Sequence, residues 1–250
     1  MRQRPVFSGF QPQSGLAGRI IICLLLVCLA VSACAEESAA WFNPQVPPPF
    51  PPEHEPTGDE YFEDVLFLGD SIMENIEMLD LFPTANFVTL IGMSPISMDK
   101  KLFIRKKDDR WVTAYDMINE YPHKKIFILL GSNALDHKSY KGTLNDYQVM
   151  MDRMIQEYPD TVFYVLCPTA PNRARVRKDR LDIQRYWKFR EGLLELAGEK
   201  QLYFLDAFTL LADEEGYLKE ELAAPDGFHL KLEGSKLIEE LVRTHTVAVE

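Results

Sequence analysis

A doubly wound α/β sandwich, with a five-stranded parallel sheet between two layers of helices, is the fold this sequence predicts. Apolar, β-rich runs recur at 64–68, 86–91, 125–130, 161–167 and 202–205. Most are continuous rather than alternating, as strands buried on both faces are. Helical patterns lie between them, notably Leu144 to Tyr158 and Asp179 to Lys200. Strands alternating with helices make parallel crossovers. Leu237, Ile238, Leu241 and Val242 share one face of a closing helix, Leu232 to Val242. Five strands so connected suit the flavodoxin-like arrangement.

The beginning of the chain stands outside that pattern. Arg2, Arg4 and Arg19 accompany a twelve-residue apolar run, Ile20 to Val31. Such a run fits a secretory leader and falls short of the ~20 residues of a membrane span. Val31-Ser32-Ala33-Cys34 then resembles a bacterial lipobox. Residues 1–33 are therefore expected to be a cleaved signal peptide, with Cys34 lipidated and the protein held at the extracytoplasmic face of a bacterial membrane. Pro44, Pro47, Pro48, Pro49, Pro51, Pro52 and Pro56 crowd the next stretch. They favour extended polyproline II, so 34–60 reads as a tether and 61–250 as the folded domain.

Charge and cysteine content narrow the class. The chain has 27 Lys+Arg and 38 Asp+Glu; without the leader 24 basic residues remain, a net charge of −14. That balance argues against nucleic acid as a partner. Cys23, Cys28 and Cys34 lie in or beside the leader, leaving Cys167 alone in the domain. No intramolecular disulfide framework is expected there, so stability must come from the core. Arg173, Arg175, Arg177, Lys178 and Arg180 place five cations in eight residues, read as a solvated loop and helix start, or as a positive rim for an anionic polymer. Arg105-Lys106-Lys107-Asp108-Asp109-Arg110 reads as a solvated loop between the second and third strands.

Chemistry enters just after the first strand. Val65-Leu66-Phe67-Leu68 leads into Gly69-Asp70-Ser71. A nucleophile just past the carboxyl end of a parallel strand sits where open α/β sheets bind ligands. A serine needs a base to take its proton, and the base needs a third group to fix its tautomer. Asp226-Gly227-Phe228-His229 supplies both from a single turn of chain. Ser71 would also serve as a helix N-cap, and Asp70 as a structural acceptor. His54, His123, His137 and His245 have no aspartate three residues before them. There is no H-E-x-x-H and no paired cysteine ligand, so neither metal nor other cofactor is expected.

These residues carry a resemblance. Phe67-Leu68-Gly69-Asp70-Ser71-Ile72, Leu130-Gly131-Ser132-Asn133 and Asp226-Gly227-Phe228-His229-Leu230-Lys231-Leu232-Glu233-Gly234 are similar, in that order, to the first, third and last blocks of the SGNH/GDSL hydrolases. The rival α/β-hydrolase pattern wants G-x-S-x-G, where this chain has Gly69-Asp70-Ser71-Ile72-Met73. The resemblance implies Ser71 as nucleophile, His229 as base and Asp226 as its orienting acid. It also implies an oxyanion hole from the Ser71 N–H, the Asn133 side chain and a second-block glycine. Gly92 is the candidate for that glycine. Pro95 falls where the family's usual donor stands, and Ala134 where an Asp often follows the Asn.

The implied activity is ester hydrolysis, most simply the removal of small acyl groups such as acetyl from cell-surface or extracellular carbohydrate. O-acyl transfer would use the same residues. A surface lipoprotein that binds glycan without turnover is the reading from another class, supported by the departures at Pro95 and Ala134.

Overall fold

The computed structural model describes residues 48–105 and 107–248; Cys34, the leader and the first part of the tether lie outside them. Among the described residues seven strands form: β1 (Val65–Gly69), β2 (Asn86–Thr89), β3 (Phe103–Arg105), β4 (Arg110–Val112), β5 (Lys125–Leu129), β6 (Val162–Leu166) and β7 (Tyr203–Leu205). Five of them make one parallel sheet in the order β2-β1-β5-β6-β7. Counting only these five in chain order, the arrangement is 2-1-3-4-5, the expected flavodoxin-like order. The helices are α1 (Ser71–Met78), α2 (Ala114–Ile118), α3 (Ser132–Leu135), α4 (Tyr140–Glu157), α5 (Arg173–Asp179), α6 (Ile183–Lys200), α7 (Ala207–Leu211) and α8 (Leu232–Thr244).

Every residue of β1, β5, β6 and β7 is buried, which is why their sequences read as unbroken apolar runs. Side chains alternate between the two faces. Leu66, Leu68, Ile126, Ile128 and Val165 share a core cluster with Tyr115 of α2, Met151 and Met154 of α4, and Phe189 and Leu193 of α6. The opposite face carries an aromatic ladder that crosses the whole sheet. Phe87, Phe67, Phe127, Tyr164 and Tyr203 sit on adjacent strands, with ring centroids 5.1, 5.3, 4.1 and 5.0 Å apart. Their register pairs them directly, so the stack pins strand alignment as well as burying area. Cys167 is fully buried.

Four expectations need correction. The charged stretch at 105–110 is not simply a loop: β3 and β4 pair antiparallel, with Ile104 opposite Trp111. Inward-facing Phe103 and Val112 hold that hairpin, and Asp108 neutralises Arg105 and Arg110. The helix expected from Asp179 is two helices, because Arg180 takes a left-handed φ of 56° and Asp182 caps a new start on Gln184 N–H. The α4 helix begins earlier, at Tyr140, where the Ser139 hydroxyl caps Gly142 N–H.

The tether, finally, ends well before residue 60. The Pro49 carbonyl accepts from Phe204 N–H at 2.7 Å, His54 N–H donates to Thr244 O at 2.9 Å, and Thr57 N–H to Arg243 O at 3.0 Å. β7 lies at the edge of the sheet, and proline, although no donor, keeps a carbonyl to offer an edge strand's N–H. The described residues all fall in one compact unit, Pro44–Val249.

Candidate active site

β1 ends at Gly69, and Asp70 turns the chain into α1. The cap of that helix is Asp70 rather than Ser71: its Oδ1 accepts from Ile72 N–H at 3.0 Å. Ser71 is thus the first helical residue, and its N–H has no intrahelical acceptor. Its hydroxyl donates to His229 Nε2 at 2.8 Å, across 158 positions of sequence. On the other side of the imidazole, Nδ1–H donates to Asp226 Oδ2 at 2.5 Å. Ser71, His229 and Asp226 therefore meet in the order that the sequence pattern predicts. The His229 and Asp226 side chains remain 41% and 43% exposed, so the cluster opens to solvent.

The loop that presents the acid and the histidine is built tightly. Asp226 Oδ1 accepts from Phe228 N–H at 3.0 Å and His229 N–H at 3.1 Å. Ala224 N–H donates to His229 O at 2.8 Å, and Lys231 N–H to Leu222 O at 2.9 Å. Burial works against the Asp226 charge, yet the hydrogen bonds from Phe228 N–H and from the ring and backbone of His229 outweigh it and hold its pKa down at about 2. The carboxylate thus stays anionic wherever the imidazole needs it.

Asn172 anchors this loop from outside, and nothing in the sequence marked it for that. Its N–H donates to Gly227 O at 2.7 Å. Its side chain is fixed at both ends, accepting from Arg175 N–H at 2.9 Å and donating to Glu220 at 2.8 Å. Gly227 has φ +75°, and a Cβ there would lie 2.3 Å from Asn172 Oδ1. Left-handed backbone alone costs a non-glycine residue roughly 1–2 kcal/mol. Gly227→Ala is accordingly expected to lose at least ~1–2 kcal/mol in denaturant unfolding and to lower turnover, because the Asp226–His229 turn must shift.

The third element comes from the end of β5. Gly131, with φ +125°, turns the chain into α3, where Ser132 is buried and Asn133 half-buried. Ser132 Oγ donates to Asp70 Oδ2 at 2.7 Å, and Asn133 Nδ2 to the same oxygen at 2.9 Å. The Asn133 amide also reaches Met93 O at 3.3 Å. The second-block loop therefore meets the site through the Met93 carbonyl. Gly92, one residue earlier, is exposed and has φ +74° with open space around it. Pro95 is buried and opens a 3-10 turn, Pro95–Ser97; as a proline it brings no N–H to the site. β1 and β5 are neighbours from which the chain departs in opposite directions, and Ser71 and Asn133 follow their two carboxyl ends. That is the switch point where such sheets bind ligands.

Asp70 is fully buried. Burial pushes its carboxyl up from the ordinary 3.8 to about 6, against hydrogen bonds from Ile72 N–H, Ser132 and Asn133 and the pull of His229. Between those two values the folded chain holds a proton that the unfolded chain has released. Stability from this group is therefore expected to fall as pH rises across that window, by up to about 3 kcal/mol. Asp70→Asn should flatten that slope in denaturant titrations over the same window.

Two of the five cations in the cluster are neutralised. Arg173 pairs with Asp213 and Glu215 and lies over the Tyr217 ring, while Arg175 pairs with Asp179. The cluster forms a solvated helix, with Arg177, Lys178 and Arg180 exposed. Among the described residues no group of three or more His, Cys, Asp or Glu could hold a metal ion, and no helix is long and apolar enough to cross a membrane.

No protein-family model matches this sequence, and no curated protein does either. Solved structures do. A chain from Streptococcus pneumonia named for platelet activating factor is 20% identical, with a TM-score of 0.57 over 92% of this chain and 98% of that one. A GDSL-like lipase from Bacteroides thetaiotaomicron is 17% identical, with a TM-score of 0.54 over 84% and 94%. The fold is that of the GDSL-like hydrolases. A variant of an acetyl-xylooligosaccharide esterase from Geobacillus is also similar, 13% identical with a TM-score of 0.50 over 72% and 92%. Within this GDSL-like fold, β1, β5 and the loop before α8 deliver the three elements of the site.

Proposed function

We propose that the protein is a serine ester hydrolase acting on small acyl groups, acetyl above all, carried by extracytoplasmic carbohydrate. The observation that carries the reading is the unbroken contact from Ser71 Oγ through the His229 ring to Asp226. Ser71 Oγ attacks the ester carbonyl while its proton passes to His229 Nε2. The imidazolium so formed is stabilised by the Asp226 carboxylate. The Ser71 N–H and the Asn133 amide receive the oxyanion. Collapse breaks the bond to the alcohol, which leaves with the proton from His229 and an acyl-Ser71 behind it. A second hydroxyl, activated by the same imidazole, then releases the acyl group.

An open, partly exposed cluster suits an ester borne on a polymer, and the likeness to an acetyl-xylooligosaccharide esterase points the same way. A purely binding role would give no reason for a hydroxyl 2.8 Å from an oriented imidazole. Acetate release from O-acetylated carbohydrate, compared with hydrolysis of long-chain esters, tests the substrate class. Preference for the long chains would reject it. Repeating the assay with added sugar acceptor separates water from a sugar hydroxyl as the second nucleophile.

Lipidation at Cys34 belongs to the same proposal, because it would fix the enzyme beside such a substrate. Cys34→Ala is expected to leave the membrane fraction; unchanged fractionation with an unmodified Cys34 in the wild type would reject the anchor.

A further inference from the structure

Asp70 holds one oxyanion donor of the proposed mechanism, the Asn133 amide, and caps the helix on which the other, the Ser71 N–H, stands, yet that mechanism gives it no task. Its carboxylate is fully buried, and three donors converge on its two oxygens: Ile72 N–H at 3.0 Å, Ser132 Oγ at 2.7 Å and Asn133 Nδ2 at 2.9 Å. Capping α1 requires one acceptor only, and a serine or asparagine would supply it. A buried carboxylate is a costly substitute unless its second oxygen serves something else.

That second oxygen holds Asn133. The Asn133 amide nitrogen carries two hydrogens. One is taken by Asp70. The other is left with Met93 O at 3.3 Å, longer than an ordinary N–H···O bond of about 2.7–3.2 Å. A negatively charged acyl oxygen is a stronger acceptor than that carbonyl. Meanwhile Oδ1, by fixing the first turn of α1, sets the direction of the Ser71 N–H.

We propose that Asp70 is the positioning residue of the oxyanion hole: one buried carboxylate, steadied by Ser132, aligns the Asn133 amide and the Ser71 N–H toward the same acyl oxygen. The proposal rests on the serine-hydrolase reading above. The titratable side chain that faces Asp70 is His229, so the test does not depend on the pH profile. It depends on coupling between two positions.

The experiment is a double-mutant cycle on the full-length protein with p-nitrophenyl acetate, using Asp70→Asn, Asn133→Ala and their combination. A carboxamide has one acceptor oxygen for three donors, so Asp70→Asn breaks the arrangement while keeping its shape. Asp70→Asn is expected to lower kcat about 100-fold with KM within about twofold. In the Asn133→Ala background the same change is expected to cost less than about threefold, because the Asn133 amide is already gone and the one oxygen of the new carboxamide can still cap α1 and hold the Ser71 N–H.

Equal fold losses in the two backgrounds would overturn the proposal, as would wild-type kcat in Asp70→Asn. Should Asp70→Asn fail to fold, Asp70→Ser keeps a cap for α1 but is too short to hold Asn133, and carries the same expectations in the same cycle. A wild type that neither turns over the ester nor reacts at Ser71 would reject the hydrolase reading itself. An active wild type with additive losses rejects only the role of Asp70.

Discussion

Ser71→Ala and His229→Ala are each expected to lower kcat for a short acyl ester by on the order of 10⁴–10⁶-fold while the protein stays folded. Ser71 supplies the oxygen that bonds to the acyl carbon, and among the described residues no other hydroxyl contacts His229 Nε2 in its place. His229 is the only group that touches that hydroxyl among the described residues. Because the two act as a unit, the double variant should be little worse than either single one. Asp226→Ala should retain more activity, by about one to two orders of magnitude, since its part is orientation and charge support. Circular dichroism and denaturant unfolding of each variant separate lost chemistry from lost structure.

Asn133→Ala is the next largest expected loss, about 10²–10³-fold in kcat with a smaller change in KM, because the missing bond is made mainly in the transition state. Pro95 cannot donate, so the hole leans on Asn133 and the Ser71 N–H. Asn133→Asp should be worse than alanine. It would set a second carboxylate against Asp70, whose oxygen lies 2.9 Å from the present amide nitrogen, and would repel the oxyanion. If Asn133 merely formed a turn, aspartate would be tolerated; kcat at matched folded fraction distinguishes these outcomes.

The fold was legible because its strands are buried on both faces and so write themselves as apolar runs. All five runs became strands of the sheet, with ends within two residues of the expected ones. Helix starts were less legible, since Ser139 and Asp182 announce themselves only by capping bonds. The β3–β4 hairpin was hidden by its charges, because three-residue strands carry too little periodicity to compete with six ionised side chains. Pro49 to Thr57 read as a tether because proline signals what a segment cannot donate and says nothing of what its carbonyls accept.

For the site, Ser71, Asp226 and His229 were readable from spacing and position after a strand. Asn172 was not, because its two bonds to the 220–227 loop join segments about 50 positions apart. The same distance hid the task of Asp70. Its bond to Ile72 is local and reads as a helix cap, whereas its bonds to Ser132 and Asn133 reach 62 and 63 positions along the chain.

The central claim is that His229 and Asp226 activate the Ser71 hydroxyl as a nucleophile. A fluorophosphonate probe tests it most directly, since it reacts with activated serines and leaves a stable adduct whose position mass spectrometry can read. The expected result is stoichiometric labelling on the peptide containing Ser71, absent in Ser71→Ala and strongly slowed in His229→Ala. An unlabelled wild type, or an adduct that persists in Ser71→Ala, would contradict it.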